Sequence, residues 1–313
     1  MARKLIRTTD ITREQWLEYR RTGLGGSDAA VTVGLSPYRS KIELWADKTG
    51  RLPETEDNEA MRTGRDLEQY VAERFCEAAG KKVRRRNYIF QHDEYDFITA
   101  NVDREIIGEN AGLECKTTSA FAKADFDRGE IPTYYYCQCC HYMNVMGYDR
   151  MYLAVLIGGQ KFRWFTIERN EQECSNLLAA EIDFWNRYIK PDIRPEPDGS
   201  DSAERTLRAV CPDWRDNAIT MFEQNDTAAE LVRVQAQKKE LEVREKQLKQ
   251  KLQNALDGNA DGLTVDWHIS YRPQVKRSVD SKRLKAERPD IYAEFLKSTE
   301  SWIFKISERK DEK

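Results

Sequence analysis

The chain reads as an α+β core followed by a helical appendage, and three observations predict this. Over about the first 190 residues, helix-like and strand-like patterns follow in the order helix, three-strand meander, helix, hairpin, helix. A stretch rich in Pro, Asp and Gly at 190–199 then breaks the pattern. Beyond it, Leu231, Val234, Lys238, Leu241, Glu245, Leu248, Leu252 and Ala255 recur at alternating spacings of three and four, the signature of one long amphipathic helix. These features divide the chain into a core over 1–195 and an accessory region over 196–313.

Element by element, 10–22 is helical, with Thr12 as N-cap ahead of Glu14 and Gln15. The glycine-rich turn from Gly23 runs into a second helix capped by Ser27 or Asp28. A short helix over 37–48 and a polar loop over 50–58 follow. The pattern at 59–79 is helical and ends at Gly80, a residue suited to a left-handed C-terminal position. Strands are predicted over 82–91, 97–105 and 111–118, separated by polar turns. A helix over 133–147 leads to a hairpin, 150–157 and 161–168, closed by Gly158-Gly159, and a helix over 171–188. In the appendage, the long helix precedes a strand over 263–271 and a helix near 289–296. Two of its eight seam positions, Lys238 and Glu245, are charged, which argues against a strict coiled coil.

Composition narrows the function class. The 313 residues carry a formal charge of −3, so the chain is no bulk polycation. The cations are nevertheless clustered: Lys81, Lys82, Arg84, Arg85 and Arg86 fall within six residues, a segment that suits either a polyanion or an ordinary solvated face. No run is long and apolar enough to span a bilayer, and the basic N-terminus lacks the apolar stretch of a secretory signal. Seven cysteines, an odd number, fit reduced thiols in a cytoplasm.

The chemistry concentrates around "LECKTTS", residues 113–119. On a strand, Glu114 and Lys116 share one face and Cys115 takes the other. Alone, such a pair is an ordinary surface ion pair. Asp103, eleven residues upstream, changes that reading, because strand, turn and strand would bring its carboxylate beside Glu114. Adjacent carboxylates are costly unless a hard cation neutralises them, and Mg²⁺ prefers oxygen ligands. A lysine on the same face could orient or help deprotonate a metal-bound water, as phosphodiester hydrolysis requires. The spacing matches the PD-(D/E)XK nuclease signature, with Val102 where that signature has proline. At the glycine-rich turn, backbone amides, Ser27 and a nearby arginine make an anion site, since a guanidinium fork suits phosphate oxygens.

Three further stretches stand in order around this motif: "GLGGSDAAVTVGLSPYRSKIELWADKTG", "MRTGRDLEQYVAERF" and "YYYCQCCHYMNVMGYDRMYLAVLIGG". Together the four motifs, over about residues 10–190, resemble the YqaJ-like viral recombinase family, the lambda-exonuclease branch of the PD-(D/E)XK superfamily. The resemblance implies a central mixed sheet flanked by helices and a Mg²⁺-dependent exonuclease, with Mn²⁺ able to substitute. Such an enzyme digests one strand of duplex DNA from its 5′ end in the bacterial host cytoplasm. It also implies a homo-oligomeric ring acting on double-stranded ends beside a single-strand annealing protein. Carried onto this chain, Asp103 and Glu114 are the metal ligands and Lys116 the water-positioning base. Glu68 is a helix carboxylate near the metals, and Gln138 lies on the helix after the motif strand. Arg20, rather than its neighbour Arg21, and Ser27 hold the terminal 5′ phosphate; Asp93 is a further candidate, in competition with Asp96. An endonuclease on the same site, or a non-catalytic DNA-binding recombination mediator, are the alternative readings. Cys137, Cys139 and Cys140 are read as buried thiols rather than a metal cluster, His141 as a packing residue, and Trp16 and Trp45 as core.

Overall fold

The computed structural model describes residues 2–53, 57–122, 126, 128–211, 215, 217–299 and 301–307; residues 54–56 of the expected polar loop lie outside this set. The chain divides into two units, Met1–Arg215 and Asp216–Lys313.

In the first unit, β1 (Arg3–Arg7) precedes α1 (Arg13–Arg21), α2 (Gly26–Thr32), α3 (Lys41–Lys48) and α4 (Glu59–Ala79). Thr12 caps α1 as expected, in a reciprocal capping box with Gln15. The cap of α2 is Gly25 rather than Ser27 or Asp28: Asp28 sits three residues in and its carboxylate accepts the Gly25 amide at 3.0 Å. Helix α3 starts only after Ser40, whose side chain accepts the Glu43 amide.

The sheet supplies the main departure from expectation. The segments 82–91 and 97–105 are not single strands. Each breaks and changes sheet, giving β2 (Val83–Arg85) and β3 (Tyr88–Gln91), then β4 (Thr99–Ala100) and β5 (Arg104–Ile106). With β6 (Ala111–Thr118), β7 (Arg150–Ile157) and β8 (Lys161–Glu168), they form a five-stranded sheet, β2-β5-β6-β7-β8, and a three-stranded one, β1-β3-β4. The larger sheet is mixed: β6 and β7 run parallel, joined by a crossover through α5 (Thr133–Met146), and the other pairs are antiparallel. Strand β1 had no counterpart in the sequence reading; it pairs with β3, and its residues stay largely exposed. The β7–β8 turn is the expected one, with Gly158 and Gly159 both at positive φ.

Strand β7 alternates between two cores, and this alternation orients the site. Tyr152, Ala154 and Leu156 pack with Leu113 of β6 against Val71, Ala72 and Phe75 of α4. Met151, Leu153, Val155 and Ile157 face the other way, toward α5, α2 and α6 (Glu171–Phe184). Because Leu113 faces α4, the period of two turns Glu114 toward the α5 side.

Helix α6 ends at Phe184 and continues as a π-helical turn, Trp185–Ile189. Helix α7 (Asp201–Val210) then folds back on α3: Ala203 is buried with Ile42, Trp45 and Ala46, and Ser202 Oγ accepts from Ser40 N at 2.9 Å. The first unit therefore runs past 195 to Arg215, because residues beyond the Pro-rich stretch complete its core.

The second unit contains α8 (Asn225–Leu256), a 32-residue helix, the hairpin β9 (Asp261–Leu263) and β10 (His268–Ser270), and two short helices, α9 (Ser281–Glu287) and α10 (Pro289–Glu294). The expected strand over 263–271 is thus a hairpin, with its reversal held by Thr264, whose Oγ1 accepts the Trp267 amide at 2.9 Å.

Candidate active site

Three local features bring the candidate residues together. First, β5 and β6 pair antiparallel with Arg104 opposite Leu113, so one further step of that register sets Asp103 opposite Glu114. The Cys115 amide donates to Asp103 Oδ2 at 2.8 Å and ties the carboxylate to β6. Second, α5 lies against the Glu114 face, and Gln138 Nε2 donates to Glu114 Oε1 at 2.7 Å. Third, Leu24 is stitched to β4 by Leu24 N→Phe97 O at 2.6 Å and Thr99 N→Leu24 O at 2.9 Å, which sets α2 beside α5. A Cβ on Gly26 would stand 2.7 Å from the Tyr142 ring and 3.0 Å from Gln138 Cγ, so only glycine permits this approach.

The result is one cavity of about 270 Å³ whose walls include Arg20, Ser27, Asp103, Glu114, Lys116 and Gln138. Lys116 Nζ lies 2.6 Å from Glu114 Oε1 and 5.4 Å from the centre of the Tyr135 ring. Burial, then the neighbouring Glu114 and Glu68 carboxylates, push Asp103 well above the usual carboxylate range. Burial also raises Glu114, against the pull of the Lys116 ammonium. For Lys116, burial alone would lower the pKa, but Glu114 and Asp103 outweigh it and hold the amine above its ordinary value. Glu114 Oε2 is buried and, among the described residues, has no hydrogen-bond partner. An unpartnered oxygen beside the half-buried Asp103 carboxylate fits a hard divalent cation held by Asp103 and Glu114.

Glu68 projects from α4 toward the same carboxylates and is held by Arg104, whose Nη1 donates to Glu68 Oε1 at 2.5 Å and to the Asp103 carbonyl at 2.7 Å. Arg104 was not singled out in the sequence, although it directly follows Asp103. It is only 3 % exposed, and its guanidinium is shared between the Glu68 carboxylate, the Asp103 carbonyl and Gln69 Oε1, the last at 3.1 Å. The available signal was its inward place on a strand, opposite Leu113.

In the same cavity lining, Arg20 Nη2 donates to Ser27 Oγ at 2.7 Å, and the guanidinium lies 4.9 Å from the Trp16 ring centre. Trp16 is therefore a cavity residue, partly exposed, and not core as expected; Trp45 is core. Arg21 lines the adjoining cavity of about 890 Å³, which Arg20 and Ser27 also border. Beneath this pair, buried Lys48 contacts Asp28 at 2.7 Å and donates to the Arg20 carbonyl at 2.6 Å. Burial would raise the Asp28 carboxyl, but Lys48, Arg39 and Arg20 together hold it below the usual range.

The remaining candidates fall elsewhere. Asp93 stands in the turn after β3, its side chain 62 % exposed, outside the lining of the cavity; Asp96 is not part of that lining either. Cys137, Cys139 and Cys140 are buried free thiols, and no metal-binding group of three or more His, Cys, Asp or Glu occurs among the described residues. Of the basic run, Arg84 and Arg86 both pair with Glu105, and Arg85 donates to Gln69, so much of its charge is locally engaged.

His141 packs in the core, its Nδ1 2.7 Å from Glu181 Oε1 and its Nε2 2.8 Å from the Thr99 carbonyl. Both side chains of the His141–Glu181 pair are fully buried. His141→Leu is expected to lose about 3–5 kcal/mol of stability, because Glu181 is left buried without its partner. Urea denaturation measures this, and a loss under ~1 kcal/mol would refute a charged pair.

The family model described as "YqaJ-like viral recombinase domain" matches residues 15–149. The "Uncharacterized protein YqaJ" of Bacillus subtilis (strain 168) is 39% identical over 312 residues, covering 98% of each chain. Among solved structures, the chain is similar to an alkaline exonuclease, LHK-Exo, from Laribacter hongkongensis, with TM-score 0.48 and 16% identity over 57% of this chain and 94% of that one. A phage related exonuclease from Haemophilus somnus 129PT follows with TM-score 0.43 and 12% identity over 53% of this chain and 93% of that one. No helix among the described residues is long and apolar enough to cross a membrane. The match across nearly the whole length of the Bacillus subtilis relative decides the family: the chain belongs to the YqaJ-like viral recombinases.

Proposed function

We propose that the protein is a Mg²⁺-dependent deoxyribonuclease that digests one strand of a duplex from its 5′ end and leaves 3′ single-stranded tails for phage-type recombination. The observation that carries this reading is a single cavity lined both by the Asp103, Glu114 and Lys116 constellation and by Arg20 and Ser27. Asp103 and Glu114 would hold Mg²⁺, or Mn²⁺ in its place. When bound, the ion supplies charge for the phosphoryl oxygens and lowers the pKa of a coordinated water.

The chain's own residues do the rest. Gln138 and Lys116 both engage Glu114 Oε1, which fixes the carboxylate and leaves Oε2 for the ion. Lys116 orients the attacking water. Glu68, clamped by Arg104, adds negative charge beside the ligands. Arg20 and Ser27 offer donors to a terminal 5′ phosphate, which sets the end of the strand a fixed distance from the carboxylates. The proposed setting is the bacterial host cytoplasm, with a homo-oligomeric ring on duplex ends and a single-strand annealing protein as partner.

The primary test is digestion of end-labelled linear duplex in Mg²⁺, with EDTA and covalently closed circles as controls. Linear DNA should be degraded and circles spared. Cutting of closed circles would favour an endonuclease, and no Mg²⁺-dependent cutting would favour a binding module.

A second expectation concerns the ends. Wild type should prefer 5′-phosphorylated over 5′-hydroxyl termini, and Arg20→Ala should erase most of that preference, a loss of ~1.5–3 kcal/mol for a charged hydrogen bond. Equal wild-type rates on the two ends would count against this phosphate site.

Truncation provides a third. Ending the chain after Arg215 should leave cleavage chemistry intact at low salt and reduce DNA binding or processivity, with a shallower salt dependence. Ending it at Gly199 should instead destabilise the protein, since α7 would no longer cover Ile42, Trp45 and Ala46. A folded 1–215 fragment without activity would overturn this division of labour.

A further inference from the structure

We propose that α8 pairs antiparallel with α8 of a second copy of this chain. The helix is 32 residues long, and Leu256, at its last position, is its only buried residue among those described. Its apolar stripe lies open: Val234 is 48 %, Leu241 68 %, Leu248 46 % and Leu252 44 % exposed. The eight seam positions from 231 to 255 alternate spacings of three and four, the repeat by which two helices interlock side chains.

The two charged seam positions select the occupant and its direction. In a parallel pair, Lys238 would meet Lys238 and Glu245 would meet Glu245, like against like. In an antiparallel pair centred on Val243, position 231 faces 255, 234 faces 252, 238 faces 248 and 241 faces 245. Every seam residue then has a seam partner. Lys238 of one helix and Glu245 of the other lie three residues apart along the axis, ~4.5 Å at helical rise, within reach of two long side chains. The seam is thus complementary in charge to an inverted copy of itself. Within one helix, Lys238 and Glu245 are seven residues apart and do not pair; Glu245 contacts Lys249 at 2.5 Å. A polar pair in an otherwise apolar seam sets register and orientation at some cost in stability. This contact is separate from the nuclease reading and needs no metal.

Sedimentation velocity of the full-length chain over a concentration series tests it, with helicity checked by circular dichroism. Wild type should self-associate, and Leu241→Asp with Leu248→Asp should weaken that step by at least ~10-fold. Lys238→Glu and Glu245→Lys should each weaken it, by roughly 3- to 30-fold, and the double exchange should recover most of the loss. A mass unaffected by the aspartates would overturn the proposal, as would a double exchange no better than the singles, which is the result for a parallel pair or another partner on the stripe.

Discussion

Glu114→Ala and Asp103→Ala should each reduce Mg²⁺-dependent hydrolysis by about a thousandfold or more, equivalent to ~4 kcal/mol of transition-state stabilisation. Each carboxylate is held in its own way. Asp103 is anchored by the Cys115 amide, and Glu114 by Gln138 and Lys116, so neither can swing to cover for the other. Removing one leaves a single carboxylate facing the ion, too little charge and too few fixed oxygens for a working geometry. Folding should survive, because both groups are costly to the apo protein: burial raises both carboxyls, for Glu114 against the pull of Lys116, and Glu114 together with Glu68 raises Asp103 further. DNA binding should also largely persist, since Arg20 and Ser27 are untouched. Release of acid-soluble nucleotide from linear duplex measures the rate, and a gel-shift in EDTA measures binding. More than a tenth of the wild-type rate in either variant would sink the metal assignment.

How much of this was legible in the sequence follows from which physical rule acts locally. Elements governed by nearest neighbours were readable: the Thr12 cap, the end of α4 at Gly80, the Gly158-Gly159 hairpin and the full extents of β6, β7 and β8. The pairing of Asp103 with Glu114 was readable too, because a short turn between adjacent strands leaves few registers. What escaped depended on distant chain. Alternation within 82–91 and 97–105 reports a face but not a sheet, so the crossings between β2 and β3 and between β4 and β5 left no periodic mark. Strand β1 is an exposed edge with cations at three of five positions, and it exists only because β3 offers a free side. Trp16 read as core because an aromatic on a helix face ordinarily is; here the face borders the cavity and carries Arg20. The 190–199 break is real as a composition shift, yet α7 beyond it returns to cover α3, a tertiary contact that composition does not encode. Arg104 carries no local signal because basic residues are ordinarily exposed, and it is the Glu68 carboxylate, the Asp103 carbonyl and Gln69, brought together by the fold, that make its burial favourable.

Lys116→Ala is expected to slow hydrolysis by about 10²–10⁴-fold, the range for loss of a group that moves or orients a proton in the transition state. The structure gives the residue two attachments: Nζ at 2.6 Å from Glu114 Oε1 and the Tyr135 ring face beneath it at 5.4 Å. Together they hold a compact ammonium at the cavity wall, on the same strand face as Glu114 and two residues along from it. Alanine removes that charge from beside the Glu114 carboxylate and from the field of Asp103. Lys116→Arg should not restore activity. The guanidinium is planar and broader than an ammonium, and it cannot act as the compact point charge that would orient the water. Lys116→Met preserves length and the contact with Tyr135 while removing the charge, and it should behave like alanine. Titrating Mg²⁺ separates the two ways the lysine could matter. If Lys116 acted only by shaping the ion site, high Mg²⁺ would return the alanine variant to the wild-type rate. If it orients the attacking water, the maximal rate stays low at saturating Mg²⁺, and that is the expected result. An arginine variant with half the wild-type rate would show that any fixed positive charge suffices, and would overturn the need for a compact ammonium.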